Sequence, residues 1–211
     1  MTESAMFPLG TVLFPSAYLS LHVFEPRYRE LVQVCLAGDA TFGVTLIERG
    51  SEVGGGDVRT AVGTQARIVE VAELPDGRFA LGAVGLERLR VVRWLEDDPY
   101  PLAEVEAWPD DPPAGGALEQ RELAERVVAR LRRVLARHAE LGARTAPATV
   151  ELSDDLGLRS FQAAAVAPLG PLDHQALLAA PSTHDRYARL ERLLADQEDD
   201  LHRFLDLGGP N

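Results

Sequence analysis

Few side chains in this sequence have the types and spacing that catalysis requires. The chain has no lysine, since all 21 of its basic residues other than histidine are arginines. That composition excludes Schiff-base enzymes, Ser-Lys hydrolases and nucleotide-binding loops that end in Gly-Lys-Ser/Thr. The histidines are scattered, without an i, i+4 pair or a recognisable metal motif, at His22, His138, His174, His184 and His202. We therefore predict no catalytic site, no metal and no cofactor.

The single cysteine, Cys35, excludes an internal disulfide and any multi-cysteine zinc site. It follows Tyr28, Leu31 and Val32 at helical spacing, which favours a buried, unreactive thiol over a nucleophile. The three glycines at 54–56 lack the strand-loop-helix setting of a phosphate-binding loop. We interpret them as a hairpin tip.

The charge balance argues against nucleic acid and anionic lipid as partners. Acidic residues outnumber basic ones by 33 to 21, which gives a formal net charge of −12 and a repulsive long-range field. A run of acids without a cation between 96 and 111 is interpreted as a solvated face, with a cation site or a dock for basic peptides as the alternative. No basic leader and no run of 18 apolar residues is present, which predicts a soluble cytoplasmic protein.

The first half of the chain has the turn-rich, β-branched composition of a sheet. A half-buried strand is predicted where Leu19, Leu21 and Val23 alternate with Ser20, His22 and Phe24. Further strands are predicted near 42–48, 61–72, 78–84, 86–94 and 101–107. One embedded helix is predicted from Pro26, which suits a first helical position, to Gly38, which can end it.

The second half has apolar residues at helical spacing. An apolar stripe predicts a helix over about 118–141, and we expect three more, capped by Ser153, by Asp173 and by Ser182 or Thr183. The prolines and glycines between the halves prevent a helix or strand from continuing. We predict a β-rich domain at 1–110, a linker at 111–117, a helical bundle at 118–207 and a tail at 208–211.

An ordered series of short motifs resembles the Lon substrate-binding domain family, which includes the N-terminal domain of the Lon protease and part of cereblon. None of the motifs is specific alone, but their order matches the family across nearly the whole chain. They are Phe7-Pro8-Leu9, Leu13-Phe14-Pro15, the stretch from Leu21 to Tyr28, Phe42-Gly43-Val44, Val62-Gly63-Thr64, Leu74 to Arg78 and Gly85 to Arg88.

The resemblance implies an α+β fold, with an N-terminal β-barrel module related to PUA domains followed by a C-terminal helical bundle. It also implies a non-catalytic module that binds unfolded or peptide-like protein segments, or a protease or chaperone partner. We expect a monomer or a weak homodimer. The ATPase and Ser-Lys protease of Lon and the zinc site of cereblon are not encoded here. RNA binding by the PUA-like module is the alternative, and a hydrolase that pairs His22 with a carboxylate is a second.

Three aromatic-rich segments are the candidate protein-binding residues. The loop before the first predicted strand supplies Phe14, Pro15 and Tyr18, and the strand-to-helix turn supplies Glu25, Arg27 and Tyr28. For the second set, a structural role remains open, with Glu25 at the positive end of the helix and Arg27 paired locally. The third segment, before the linker, supplies Trp94, Tyr100 and Trp108. These residues either pack between the two modules or form a partly exposed aromatic groove, and the sequence leaves both roles open.

Overall fold

The computed structural model describes residues 1–50, 58–112 and 116–206, with side chains described as far as residue 203. The chain divides into two compact units, Met1–Pro109 and Asp110–Asn211. We call them the N-terminal and C-terminal units. That they are separate domains joined by a linker stays a prediction, and the glycine run at 54–56 lies outside the described residues.

The N-terminal unit has the mixed α+β composition that the sequence predicts. Its strands are β1 (Thr2–Leu9), β2 (Tyr18–Val23), β3 (Thr41–Arg49), β4 (Val58–Glu73), β5 (Phe79–Trp94) and β6 (Leu102–Ala107), and its helix is α1 (Pro26–Ala37). The sequence patterns do not predict β1. They also divide β5 in two near Gly85, where the structure has one continuous strand.

The strands form one sheet that closes on itself. Its order is β2-β5-β4-β3-β1-β6, and β6 pairs with β5 as well as with β1. Five strands therefore make a closed ring, as the resemblance implied, while β2 pairs antiparallel with the first half of β5. Register shifts in the β3–β4, β4–β5 and β5–β6 pairs mark irregularities of the kind that bend strands.

Helix α1 packs its apolar face onto this sheet, as its sequence pattern predicts. Pro26 occupies the first turn and Gly38 the C-cap, and the buried helical residues are Tyr28, Leu31, Val32 and Cys35. They join a core cluster with strand residues that include Phe7, Val23, Phe42 and Leu81. Cys35 is 5% exposed, and burial, with a contribution from Asp39, raises the pKa of its thiol to about 11. The thiol is a core group.

The C-terminal unit consists of four helices in the described residues. They are α2 (Ala117–Glu140), α3 (Leu156–Val166), α4 (Pro171–Leu178) and α5 (Thr183–Asp206). The predicted bounds of the long helix α2 are confirmed to within a residue. Among the described residues, no helix is both long enough and apolar enough to cross a bilayer.

The helix caps correct two predictions. Asp155, not Ser153, caps α3 by accepting the Leu158 N–H over 2.8 Å. Gly170 precedes α4 and Asp173 lies within its first turn, because Pro171 already fills the first helical position. Before α5, the Ser182 hydroxyl accepts the Asp185 N–H over 3.1 Å, in the manner of an N-cap.

A buried arginine is the polar centre of the C-terminal unit. Arg186 of α5 is fully buried and forms an ion pair with Asp110, whose Oδ1 lies 2.5 Å from its Nη2. Its Nη1 donates to the Ser160 hydroxyl over 2.6 Å, and its guanidinium carbon lies 3.6 Å from the Phe161 ring centroid. Burial lowers the pKa of Arg186, and the interactions with Asp110 oppose that shift. This Arg186 centre connects α3 and α5 with the start of the unit.

Candidate functional site

The loop that leads into β2 is packed tightly against the sheet. Phe14 is 1% exposed and Pro15 is also buried. Ser16, with a φ of +65°, donates its N–H to the Gly85 carbonyl over 2.8 Å. A Cβ on Gly85 would overlap the Phe14 carbonyl oxygen, so this approach requires glycine. Phe14 and Pro15 therefore fix the path into β2 and do not present their side chains to solvent.

Tyr18 is the exposed aromatic residue of this loop region. Its side chain is largely solvent-accessible, and its ring lies over Gly82 of β5, where an added Cβ would overlap the Tyr18 hydroxyl. The hydroxyl lies 3.3 Å from Oε2 of Glu70 on β4, to which it donates. Ser20 and His22 line the same shallow depression. The outer face of β2 is thus polar apart from one aromatic ring.

A second depression follows β2 to the start of α1. We call it the β2 groove, and its apolar lining includes Phe7, Leu9, Leu21, Phe24 and Tyr28. The Phe7 and Tyr28 rings stack with centroids 4.2 Å apart and an interplanar angle of 11°, which makes a packed aromatic floor. Phe24 is 55% exposed. The groove therefore combines a rigid floor with an aromatic side chain that is largely in solvent.

Glu25 and Arg27 form a local ion pair beside this groove. Arg27 Nε lies 3.1 Å from Glu25 Oε2, and the Arg27 guanidinium carbon lies 4.5 Å from the Tyr28 ring centroid. Glu25 occupies the N-cap of α1, where a negative charge favours the positive end of the helix. These contacts support the structural role that the sequence left open. Tyr28 is buried, so of the three residues only Glu25 and Arg27 retain partial exposure.

The aromatic residues before the predicted linker do not form one site. Trp94 packs partly buried against a second core cluster, with the Arg59 guanidinium carbon 4.7 Å from its ring centroid. Trp108 has the Arg88 guanidinium at 4.2 Å. Since Trp94 pairs with Ala103, the two tryptophans lie at opposite ends of β6, about 17 Å apart along the strand. Tyr100 packs against the core that contains α1. The side chains of Trp94, Tyr100 and Trp108 therefore do not line a single groove.

The histidine on β2 has no catalytic partner in the described residues. His22 is exposed, and two carboxylates share a depression with it. Glu70 accepts its described hydrogen bond from Tyr18, and Glu25 forms an ion pair with Arg27. In the described ranges, no three His, Cys, Asp or Glu side chains lie together as metal ligands would. The geometry thus gives the hydrolase hypothesis no support.

Phe24 is the residue that the sequence reasoning left out of the site. The alternation of β2 assigns it to the polar side of the strand, with Ser20 and His22, where a phenylalanine is out of place. An apolar residue on the polar side of a strand can be recognised from the sequence alone, so this pattern could have identified Phe24. The sequence carries no such signal for Phe7 and Leu9, which also line the β2 groove, because their position depends on the pairing of β1 with β3.

The comparison with known proteins agrees with this architecture. The chain matches the family model of the ATP-dependent protease La (LON) substrate-binding domain over residues 3–196. It is 27% identical to Lon protease 1 and 29% identical to Lon protease 2 of Herpetosiphon aurantiacus, over 91% and 94% of its own length. It covers 24% of each relative, so it spans about a quarter of their length.

Solved structures show the same relation. A Lon N-terminal domain protein from Xanthomonas campestris is similar with a TM-score of 0.65 and 31% identity, over 92% of this chain and 98% of that one. The N-terminal domain of Mycobacterium avium complex Lon protease has a TM-score of 0.66 at 17% identity, over 94% and 99%, and shows the shared fold. This chain therefore belongs to the Lon substrate-binding domain family and corresponds to a part of those proteins that is not the catalytic protease.

Proposed function

We propose that this chain is a non-catalytic module that binds unfolded or peptide-like segments of proteins at the β2 groove. The supporting observation is an exposed aromatic residue, Phe24, beside a floor of stacked rings. Tyr18 lies about 20 Å away at the other end of β2, which gives two exposed aromatic contacts for one extended chain. Aromatic side chains beside packed apolar pockets are typical anchors of protein interfaces.

Binding of this kind involves no covalent step. Apolar area leaves water when a client segment covers Phe24 and Leu21, and the modest area predicts a dissociation constant on the order of micromolar, or about 8 kcal/mol. An affinity in that range permits release. We propose that the chain acts in protein quality control in the cytoplasm, as a monomer or weak homodimer, and passes clients to a protease or chaperone partner.

The RNA-binding alternative is not favoured. The relatives and the solved structures are Lon proteins, and the net charge of −12 opposes a polyanion. Several surface arginines are also occupied by carboxylates, as in the Arg93–Glu104 and Arg59–Asp97 ion pairs.

Titration with reduced α-lactalbumin whose cysteines carry the neutral carboxamidomethyl group, so that it stays unfolded without added charge, tests the proposal by fluorescence anisotropy. We expect micromolar binding, no binding of the native, folded α-lactalbumin, and a loss of affinity of about tenfold or more in Phe24→Ala. Leu118→Ala is the matched control, because this exposed leucine lies in the C-terminal unit. The proposal is wrong if the unfolded protein does not bind at high micromolar concentration, or if the two variants lose affinity equally.

A further inference from the structure

We infer that the bound segment joins the sheet as an extra strand along the free edge of β2. This inference rests on the proposed function and specifies how the client is held. In the described part of the chain, β2 has a strand neighbour on one side only, namely β5. Its other edge borders the β2 groove, which is lined by consecutive residues from Ser20 to Glu25.

The pairing with β5 determines which backbone groups are free. Gly85 donates its N–H to the Ala17 carbonyl over 3.0 Å, and the antiparallel register continues from there to Val23 without a shift. Because backbone groups alternate in direction along an antiparallel strand, every second residue faces β5. The residues between them direct both N–H and C=O to the free edge, and they are Tyr18, Ser20 and His22.

This edge lacks the features that usually prevent strand pairing. Natural edge strands carry charged side chains, prolines or bulges, because an open edge otherwise recruits other chains. The segment from Tyr18 to Phe24 contains no aspartate, glutamate or arginine, no proline and no glycine, and His22 is its one basic residue. On the opposite side of the groove, Pro8 of β1 has no N–H to offer. The free N–H groups beside the groove are thus on β2.

The occupant that fits this edge is an extended, uncharged apolar segment of an unfolded protein. Its backbone would pair with Ser20 and His22, and alternate side chains would contact Phe24 and the groove. Strongly acidic segments are disfavoured by the net charge of −12. A second copy of the chain carries that same charge, and a six-residue edge about 20 Å long covers much less than the ~800 Å² per partner of a stable interface.

Backbone methylation of a probe peptide tests the inference. The probe is a fluorescein-labelled peptide of four consecutive valine-threonine pairs, together with two isomers N-methylated either at every valine or at every threonine. Each isomer lacks the N–H groups of one edge only. Strand addition predicts that one isomer binds at least about tenfold more weakly than the other. Equal affinities for the two isomers would overturn it.

A protein variant gives the complementary test. Ser20→Pro removes a free N–H without removing one that faces β5, and we expect about tenfold weaker binding of the unmethylated probe with a Tm within a few degrees of wild type. If that variant is destabilised, hydrogen exchange in the wild type decides, since the bound probe should slow exchange of the Ser20 and His22 amides by about tenfold or more. Unchanged exchange rates would refute strand addition.

The remaining outcomes separate the two proposals. If both isomers bind equally while Phe24→Ala still weakens binding of carboxamidomethylated α-lactalbumin, strand addition is wrong and the proposed function stands. If unfolded protein is not bound at all, the proposed function itself is wrong. Concentration-dependent dimerisation that Ser20→Pro abolishes would show that a second copy occupies the edge, and it would also overturn the inference.

Discussion

The edge of β2 and the Arg186 centre are opposite departures from the usual arrangement of apolar and charged side chains. At β2, the aromatic ring of Phe24 is 55% exposed. In the C-terminal unit, the charged guanidinium of Arg186 is fully buried. The buried charge has partners on Asp110, Ser160 and Phe161 within its own unit. The exposed edge leaves backbone groups without a partner strand in the described residues.

The contrast between these two regions distinguishes residues that stabilise the fold from residues that we propose bind a client. A buried charge is tolerated only when its partners compensate for the lost hydration, so removing one partner destabilises the fold. An exposed aromatic residue beside unpaired backbone groups contributes little to folding, and a bound chain can satisfy both. We therefore expect substitutions at the Arg186 centre to change unfolding and substitutions at Phe24 to change affinity.

The largest expected effect is at the Arg186 centre. Replacing Arg186 with methionine leaves Asp110 without its ion-pair partner and should lower the free energy of unfolding by about 3 to 5 kcal/mol, measured by urea denaturation. The control is Arg203→Met, because Arg203 makes an exposed ion pair with Asp200 and should show no measurable loss. Equal losses in the two variants would contradict the comparison.

A second prediction separates two aromatic residues that are four positions apart. Phe14 is 1% exposed, so Phe14→Ala should cost about 3 to 5 kcal/mol of stability, as truncation of a core aromatic residue does. Tyr18→Ala should leave the Tm nearly unchanged and weaken client binding instead, because that ring lies in solvent. Thermal unfolding and anisotropy on both variants check this. Comparable Tm losses would place Tyr18 in the core and remove it from the binding surface.

A smaller effect concerns alkaline pH. The native thiol of Cys35 has a pKa of about 11 against an ordinary value of 9.0, so the fold favours the neutral form. Its contribution to stability is complete below pH 9 and is lost as the pH rises through 11. The free energy of unfolding of wild type minus that of Cys35→Ala should fall by about 2 kcal/mol between about pH 8 and 11. A difference independent of pH would mean that the thiol is not buried.

The smallest expected effect is the absence of nucleic-acid binding. At micromolar protein and physiological salt, neither duplex DNA nor structured RNA should shift in a gel, because the field of the chain is negative. Tight binding that weakens steeply with added salt would contradict this result and would restore the PUA-like alternative.

The sequence predicts α1 and α2 well because both helices depend on local signals. Pro26 and a single apolar stripe are sufficient for α1. Sequence patterns do not predict β1, since Pro8 usually interrupts strand pairing and is tolerated here beside β3. The two predicted strands around Gly85 are one strand, because that glycine serves a close approach of the Phe14 carbonyl and not a turn.

The candidate site was predicted in part. Glu25 does line the β2 groove, whereas Tyr18 lines the neighbouring depression, and Phe14, Pro15 and Tyr28 are buried. Burial depends on long-range packing, such as the stacking of Phe7 on Tyr28, which neither composition nor periodicity encodes. The local alternation of β2 is sufficient to place Phe24 on the wrong side for an apolar residue, and we propose this residue as an anchor of the site.

The double pairing of β6 has a consequence for biosynthesis. Thr2 of β1 pairs with Val105 of β6, so the ring of strands cannot close until the ribosome has delivered more than 100 residues of the N-terminal unit. Contacts this distant in sequence slow folding, and before closure the partner edges of both β1 and β5 are open. A nascent chain of this unit would therefore expose its own unpaired strands, which is the kind of segment that we propose the finished module binds.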